Sequence, residues 1–264
     1  MTSHRARVVA LLDQLVAAQI DLVEWEQRLL RRLGVPLATD GVCNSFFLGV
    51  FALSNISQDI FFLIPDQQLP RAYQIAASLG YYPESTESLR FAYSSEFSGL
   101  AVRYNIDDAT KKSLGHDRFR RLVFLPLSWS ALSFHDLEPA EMKYSGMPDH
   151  TYSIWTVPLA PACTAIVRLI CAETRRSPLR ERLEVDLANL LLYNFYDTSY
   201  EGDYEEIIGN EVPLSESELL EIENAVARIK SWEMRDGEEW IRENLIKLVS
   251  GTIDEGQLPW KDHS

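Results

Sequence analysis

Five arginines in the second half of the chain carry side chains that suit an anionic ligand: Arg168, Arg175, Arg176, Arg180 and Arg182. A planar guanidinium matches the oxygens of a phosphate or carboxylate group. The alternative is that these arginines pair with Glu173, Glu181, Glu184 and the acidic C-terminal residues. Arg168 interrupts an otherwise apolar helical face, and a half-buried arginine requires a partner. We therefore predict Arg168 and Arg176 as ligand-binding residues.

An acidic segment, Asp197 to Glu206, is the second candidate for chemistry. Its spaced acids Asp197, Glu201 and Asp203 are ligand types for calcium or magnesium. The spacing differs from that of a regular calcium loop, and the terminal bidentate glutamate of such a loop is missing. We expect a structural loop with inward tyrosines, and the functional alternative is a lid or an acidic edge of a site.

Histidine and serine offer little catalytic pattern. His135-Asp136 stands near Ser128, Ser130 and Ser133, so the residue types of a nucleophilic triad are present. The nucleophile elbow that would position them is absent from the sequence. The five histidines are scattered without metal-ligand spacing, and a hydrolase stays a minor hypothesis.

The most informative motif combines a polar turn with a carboxylate strand. Asn44-Ser45 is followed after thirteen residues by Asp59-Ile60-Phe61, which opens an apolar run to Ile64. This arrangement resembles the core of the DNA polymerase β-like nucleotidyltransferase superfamily. In that family a Gly-Ser or Gly-Gly turn, a short helix and a strand bearing Asp-x-Asp form a site for two metals and a nucleoside triphosphate. The resemblance implies Asp59 as the catalytic residue and Asn44 and Ser45 as ligand-binding residues.

The resemblance spans residues 5 to about 195, although its motifs are loose. Gly80-Tyr81 after a helical stretch is similar to the start of the family's next strand. Arg168 and Asp186-Leu187 resemble the basic residue and the Lys/Arg-Asp pair in the C-terminal helices of smaller members. The run from Tyr193 to Tyr204 also resembles a segment shared by a group of uncharacterised fungal proteins.

One residue of the motif argues against the catalytic activity that the resemblance implies. Two-metal phosphoryl transfer needs several carboxylates close together, and Phe61 stands where the second one belongs. The later strands that should carry a third, 100–104 and 122–126, contain none. We predict no metal ligands, and we expect magnesium only if a second carboxylate, such as Asp107 or Asp117, joins Asp59.

The elements that must position these residues alternate in type. Apolar spacing predicts one long N-terminal helix from Ser3 to Leu33, ended by Gly34 and Pro36. The middle of the chain is predicted to hold an apolar run at 46–53, a strand at 60–64, a helix at 69–79 stopped by Gly80, short strands at 89–93, 100–104 and 122–127, and a polar loop at 107–117.

From residue 158 onward the pattern is helical. We predict helices at 160–176, with Cys163 and Cys171 in its apolar face, at 179–195 after Ser177-Pro178, from Ser215 to Trp232 with a Ser215/Glu218 capping box, and at 237–249. The fold class is therefore α+β: a small mixed β-sheet nucleotidyltransferase-like core with an N-terminal helix and a C-terminal helical region. The predicted domains are residues 1–157 and 158–264.

Charge and composition limit the possible partners. The 264 residues are 46% hydrophobic and carry a net charge of −14. Residues 197–264 hold 18 acidic and 6 basic residues, so most of the acidity lies in the last quarter. An acidic surface disfavours extended nucleic acid and anionic membranes, whereas a small anionic ligand or a nucleotide stays possible at the arginines. Three cysteines without a C-x-x-C pair and the lack of a signal-peptide pattern indicate the cytoplasm.

These observations favour a nucleotidyltransferase-fold protein that lacks the standard two-metal nucleotidyl transfer and serves as a ligand-binding or repurposed module. The alternatives are an active nucleotidyltransferase that uses Asp59 with a relocated carboxylate, and a small-molecule biosynthetic enzyme that uses the same cleft. A third is an interaction protein, for which we expect Trp232, Trp240 or Trp260 to be exposed in a contiguous patch.

Overall fold

The structure is a computed structural model that describes residues 4–36, 60–83, 100–105, 121–144, 147–198 and 214–261. Its internal contacts divide the chain into two units. The first unit contains Met1–Arg32 and Pro36–Pro158, and the second contains Leu33–Val35 and Leu159–Ser264. The predicted features at 46–53, 89–93 and 107–117 lie outside the described residues.

The predicted N-terminal helix is wrong in its extent. Helix α1 covers His4–Ala17, a two-residue strand β1 follows at Val23–Glu24, and a short helix α2 covers Gln27–Arg32. Positive φ angles at Gln19 (58°) and Glu26 (52°) turn the backbone out of the helical path. The apolar residues of the sequence continue through this break because β1 is itself buried. A short buried strand is as apolar as the buried face of a helix, so the spacing does not distinguish the two.

Six strands form one mixed sheet in the first unit. The further strands are β2 at Ile60–Ile64, β3 at Val102–Asn105, β4 at Arg121–Pro126, β5 at Glu138–Tyr144 and β6 at Met147–Thr156. Their order is β3-β4-β2-β1-β6-β5. The pairs β1/β6 and β2/β4 are parallel, and the other neighbours are antiparallel. The strands predicted at 60–64, 100–104 and 122–127 are confirmed.

The β5–β6 hairpin was not predicted from the sequence. Its alternating residues Met142, Tyr152 and Ile154 point into the core, as in a half-buried antiparallel sheet. Pro139 and Pro148 interrupt the apolar pattern in both strands, which hides the period of two.

One face of the sheet is covered by α1 and by helix α3, Leu69–Ser78. The residues of this core include Leu12, Leu15, Phe62, Phe124 and Tyr104, all of which are almost fully buried. Burial of each such side chain stabilises the fold by about 2 kcal/mol. Gly80 (φ 75°) follows α3 and confirms the predicted end of that helix.

The second unit is helical in its described residues. Helix α4 covers Leu159–Ala172, α5 covers Pro178–Phe195, α6 covers Glu216–Lys230 and α7 covers Glu239–Val249. Ser177 accepts a hydrogen bond from the backbone of Arg180 at the start of α5, and Ser215 and Glu218 form a capping box at the start of α6. The four helices predicted in this region are confirmed.

Seven helices and a six-stranded mixed sheet make the described fold α+β, as predicted. None of the helices described here has the length and apolar character needed to cross a bilayer.

Candidate functional site

The site begins with the face of the sheet that carries Phe61. Strand β2 pairs Phe61 with Val123 of β4, and β3 pairs Arg103 with the same Val123. Residues paired across neighbouring strands point to the same face, so these three side chains form one row opposite the α1/α3 core. All three are buried. The position at which the resemblance predicts a second carboxylate is therefore occupied by a buried aromatic ring, and neither of its two neighbours in the row is an acid.

Arg103 is the ionisable residue of this row. Two strand spacings separate Arg103 from Phe61, a distance of about 10 Å. Only 6% of Arg103 is exposed, and its guanidinium is charged at any physiological pH. A guanidinium, unlike a carboxylate, offers no ligand oxygen to a divalent metal ion.

The predicted residues Asn44, Ser45 and Asp59 lie outside the described residues, as do the substitute acids Asp107 and Asp117. Their roles stay predictions. Within the described ranges, no group of three or more His, Cys, Asp or Glu side chains is arranged to hold a metal ion.

Arg168 lies on α4 and binds a carboxylate of its own unit. Its Nε donates to Glu238 Oε1 at 2.8 Å, and its Nη2 donates to Glu238 Oε2 at 2.6 Å. This bidentate contact joins α4 to the residue that precedes α7. The Nη1 atom of Arg168 is buried and has no hydrogen-bond partner. The contacts of Arg168 are therefore with Glu238, and its unpartnered Nη1 is closed to a ligand as long as it stays buried.

Arg176 and Arg180 differ sharply in environment. Arg176 is exposed in the turn between α4 and α5. Arg180 is fully buried: its Nη1 donates to the carbonyls of Ile170 (2.9 Å) and Pro259 (2.8 Å), and its Nη2 donates to that of Leu258 (2.9 Å). Its Nε lies 2.6 Å from Glu184. Arg180 therefore has a structural role. This agrees with the alternative hypothesis that these arginines pair with groups of the protein itself.

Asp186 on α5 has the most perturbed carboxyl group among the described acids. Burial raises its pKa to about 6, and the nearby Arg182 opposes part of that rise. The sequence draws attention to Asp186-Leu187 through the resemblance, but it does not predict that the pKa of the Asp186 carboxyl group lies near neutral pH. A carboxyl group of this kind exchanges protons near physiological pH.

The cysteines of the second unit are not nucleophiles. Burial raises the pKa of Cys163 to about 12 and that of Cys171 to about 11. Both groups are thus thiols at neutral pH, and the thiolate is the reactive form.

The triad hypothesis fails on the geometry of its serines. Ser128 Oγ donates to Asp66 at 2.6 Å, Ser130 Oγ donates to the carbonyl of Leu127 at 2.8 Å, and Ser133 Oγ donates to Asp136 at 2.7 Å. Each hydroxyl is engaged by a group other than His135. Asp136 accepts from Ser133 as part of a capping box at the start of a short 3₁₀ turn.

The tryptophans expected in an interaction surface have mixed exposure. Trp240 is 37% exposed and Trp260 is 38% exposed, whereas Trp232 is half-buried and packs against Phe195 at 6.0 Å. The guanidinium of Arg175 lies 4.6 Å from the ring centre of Trp260. These contacts place the rings in the internal packing of the helical unit as much as on its surface.

No family model matches the chain, and no curated protein matches it in sequence. Among solved structures, the chain is similar to an antigenic nucleotidyltransferase-like protein from Paracoccidioides brasiliensis, known from a crystal structure. The alignment covers 91% of this chain and 92% of that one, with 10% sequence identity and a TM-score of 0.39. At that level of similarity no residue role passes from that protein to this one.

Proposed function

We propose that the chain is a nucleotidyltransferase-fold protein of the DNA polymerase β-like type that has lost two-metal nucleotidyl transfer and acts as a ligand-binding or repurposed module. The supporting observation is the buried row of Phe61, Val123 and Arg103 on neighbouring strands. The motif around Asn44, Ser45 and Asp59 supports the proposed family, and this row supports the proposed loss of catalysis.

Metal-dependent transfer requires that carboxylates neutralise two divalent ions while these bridge the phosphates. In the row, an aromatic ring, an aliphatic side chain and a guanidinium take the available positions. A single acid at Asp59 would hold a magnesium ion weakly, since this ion takes its protein ligands from oxygen atoms in octahedral geometry. The lack of carboxylates in this buried row therefore argues against metal-dependent transfer.

The ligand we propose is a small anion or a nucleotide. Arg176 is exposed, so its guanidinium is suited to phosphate or carboxylate oxygens. Arg168 contacts such a ligand only if its buried, unpartnered Nη1 becomes accessible. Extended nucleic acid is disfavoured by the net charge of −14. We propose that the protein works in the cytoplasm without membrane attachment.

The test combines binding and transfer. Calorimetric titration with ATP, UTP and pyrophosphate, with and without magnesium, is expected to show affinities that do not depend on the metal. An assay for AMP or UMP transfer is expected to show no activity above that of Asp59→Asn. The matched control is Asp13→Asn, because Asp13 is an exposed acid on α1. Metal-dependent transfer that is abolished by Asp59→Asn and kept by Asp13→Asn would show an active enzyme and overturn the proposal.

A further inference from the structure

A concavity of about 220 Å³ lies at the C-terminal end of α1 in the first unit. The residues that line it include Val16, Ile20, Asp21, Ser153 and Trp155. None of these residues belongs to the arginine cluster or to the row around Phe61.

The carboxylate of Asp21 is fixed by neutral donors. Its Oδ1 accepts from Trp155 Nε1 at 2.9 Å, and its Oδ2 accepts from Gln68 Nε2 at 2.8 Å. Gln68 is held in turn, because its Oε1 accepts from the backbone N–H of Asp21 at 2.7 Å. These hydrogen bonds set the orientation of the carboxylate without cancelling its charge. The concavity therefore contains a positioned negative charge.

The end of α1 adds to this negative potential. The last carbonyl groups of a helix carry the negative end of its dipole, equivalent to roughly half an elementary charge. Helix α1 ends at Ala17, immediately before the wall residues Gln19 to Leu22, and its last turn contains no basic residue. Among the described residues that line the concavity none is basic. The contribution of the helix end is smaller than that of Asp21, because the carbonyls of Leu15 and Val16 already accept hydrogen bonds from the backbone of Ile20 and Gln19.

Trp155 provides an aromatic wall. Its ring is half-buried and packs edge-to-face against Phe134, with ring centres 5.7 Å apart. The bond from its Nε1 to Asp21 fixes the rotation of the ring. Indole is the aromatic group that attracts cations most strongly.

We propose that this concavity binds an alkylammonium group, the cationic head of a small organic amine. The carboxylate and the helix end supply attraction for the charge, while the indole, Val16 and Ile20 contact the alkyl substituents. A volume of about 220 Å³ suits a head group better than a drug-sized molecule. A bare divalent metal ion fits the site poorly, since one carboxylate among apolar walls leaves most of its coordination unfilled. The inference is independent of the function proposed above.

The test is a titration of the ¹⁵N-labelled protein with tetramethylammonium chloride, followed by the indole N–H resonance of Trp155. The variant Trp155→Phe assigns that resonance by removing it. The expected result is a saturable shift that equal concentrations of sodium chloride do not produce. Neopentyl alcohol, which has a similar apolar shape without the charge, is expected to leave the resonance unmoved.

Asp21→Asn keeps an oxygen that can accept from the indole and removes the charge, so it is expected to weaken binding by about fivefold to tenfold. The matched control Glu223→Gln removes one exposed negative charge in the second unit and is expected to bind as the wild type does. An unchanged melting temperature of Asp21→Asn shows that the fold is kept. Equal affinity of Asp21→Asn and wild type, or equal binding of neopentyl alcohol, would overturn the proposal.

Discussion

Arg180 donates a hydrogen bond of 2.9 Å from Nη2 to the carbonyl oxygen of Leu258, and both residues are completely buried. The same guanidinium also binds the carbonyls of Ile170 and Pro259 and pairs with Glu184. One side chain therefore connects the end of α4, the first turn of α5 and the C-terminal segment.

Arg180→Met is expected to lower the free energy of unfolding by about 3 kcal/mol or more, because it leaves a largely buried carboxylate and three carbonyls without their donor. Arg180→Lys is expected to restore only part of this loss, since an ammonium group lacks the planar fork. Urea unfolding followed by circular dichroism measures both. The control is Arg176→Met, which changes an exposed arginine in the preceding turn and should leave the midpoint within error.

The contact between Arg168 and Glu238 is expected to appear as a coupling free energy between substitutions at the two residues. Arg168→Gln and Glu238→Gln are each expected to cost about 2 kcal/mol, because each leaves a partly buried charge without its partner. The double variant is expected to cost less than the sum of the two single changes. Urea unfolding of the four proteins in the cycle gives the coupling. Strict additivity would show that the contact contributes nothing.

Asp186 predicts a dependence of stability on pH. The folded pKa of about 6 lies above the ordinary value of 3.8, so the folded state binds the proton more tightly than the unfolded state does. The contribution of Asp186 to the free energy of unfolding is therefore fully present below pH 3.8, and it is lost as the pH rises through 6. Asp186→Asn, which cannot ionise, is expected to be more stable than the wild type at pH 7.5 by up to about 2 kcal/mol, and this advantage should vanish near pH 4. Thermal unfolding at a series of pH values measures it. If the stabilities of the wild type and of Asp186→Asn changed with pH in the same way, the raised pKa of Asp186 would be contradicted.

The buried thiols predict slow chemical labelling. In a Cys43→Ser variant, Cys163 is expected to react with Ellman's reagent at pH 8 no faster than the protein unfolds, because the residue is fully buried and its pKa is about 12. Cys171, which is half-buried with a pKa of about 11, should react before Cys163. The variant Cys43→Ser/Cys171→Ser isolates the signal of Cys163. Rapid reaction of that thiol in the folded protein would contradict the packing of α4.

Short-range sequence signals were sufficient to predict most of the described helices and strands. Ser177-Pro178 and the Ser215/Glu218 pair mark helix starts by side-chain hydrogen bonds that need only neighbouring residues. The strand at Ile60–Ile64 is a continuous apolar run, and Gly80 marks the end of α3. These features depend on short-range chemistry, so the sequence alone predicts them.

Features set by distant contacts were missed. Strand β1 has only two residues, and its conformation depends on pairing with β2 and β6, which lie far along the chain. The burial of Arg180 depends on a segment almost eighty residues away. In the candidate site, Phe61 already indicated the lost carboxylate, but the placement of Arg103 in the same row follows from strand register, which the sequence does not specify.

The two-residue strand β1 also sets the order in which the sheet can be assembled. It is the only described strand that joins the β3-β4-β2 half of the sheet to the β6-β5 half, and it meets β6 through Val23 and Trp155. During synthesis, Val23 leaves the ribosome more than a hundred residues before its partner exists. The halves can therefore join only after β6 has been translated, and a contact this distant in sequence slows folding. Until β6 is made, the edge of β1 that pairs with it has no partner strand, and its length of two residues keeps this open edge short.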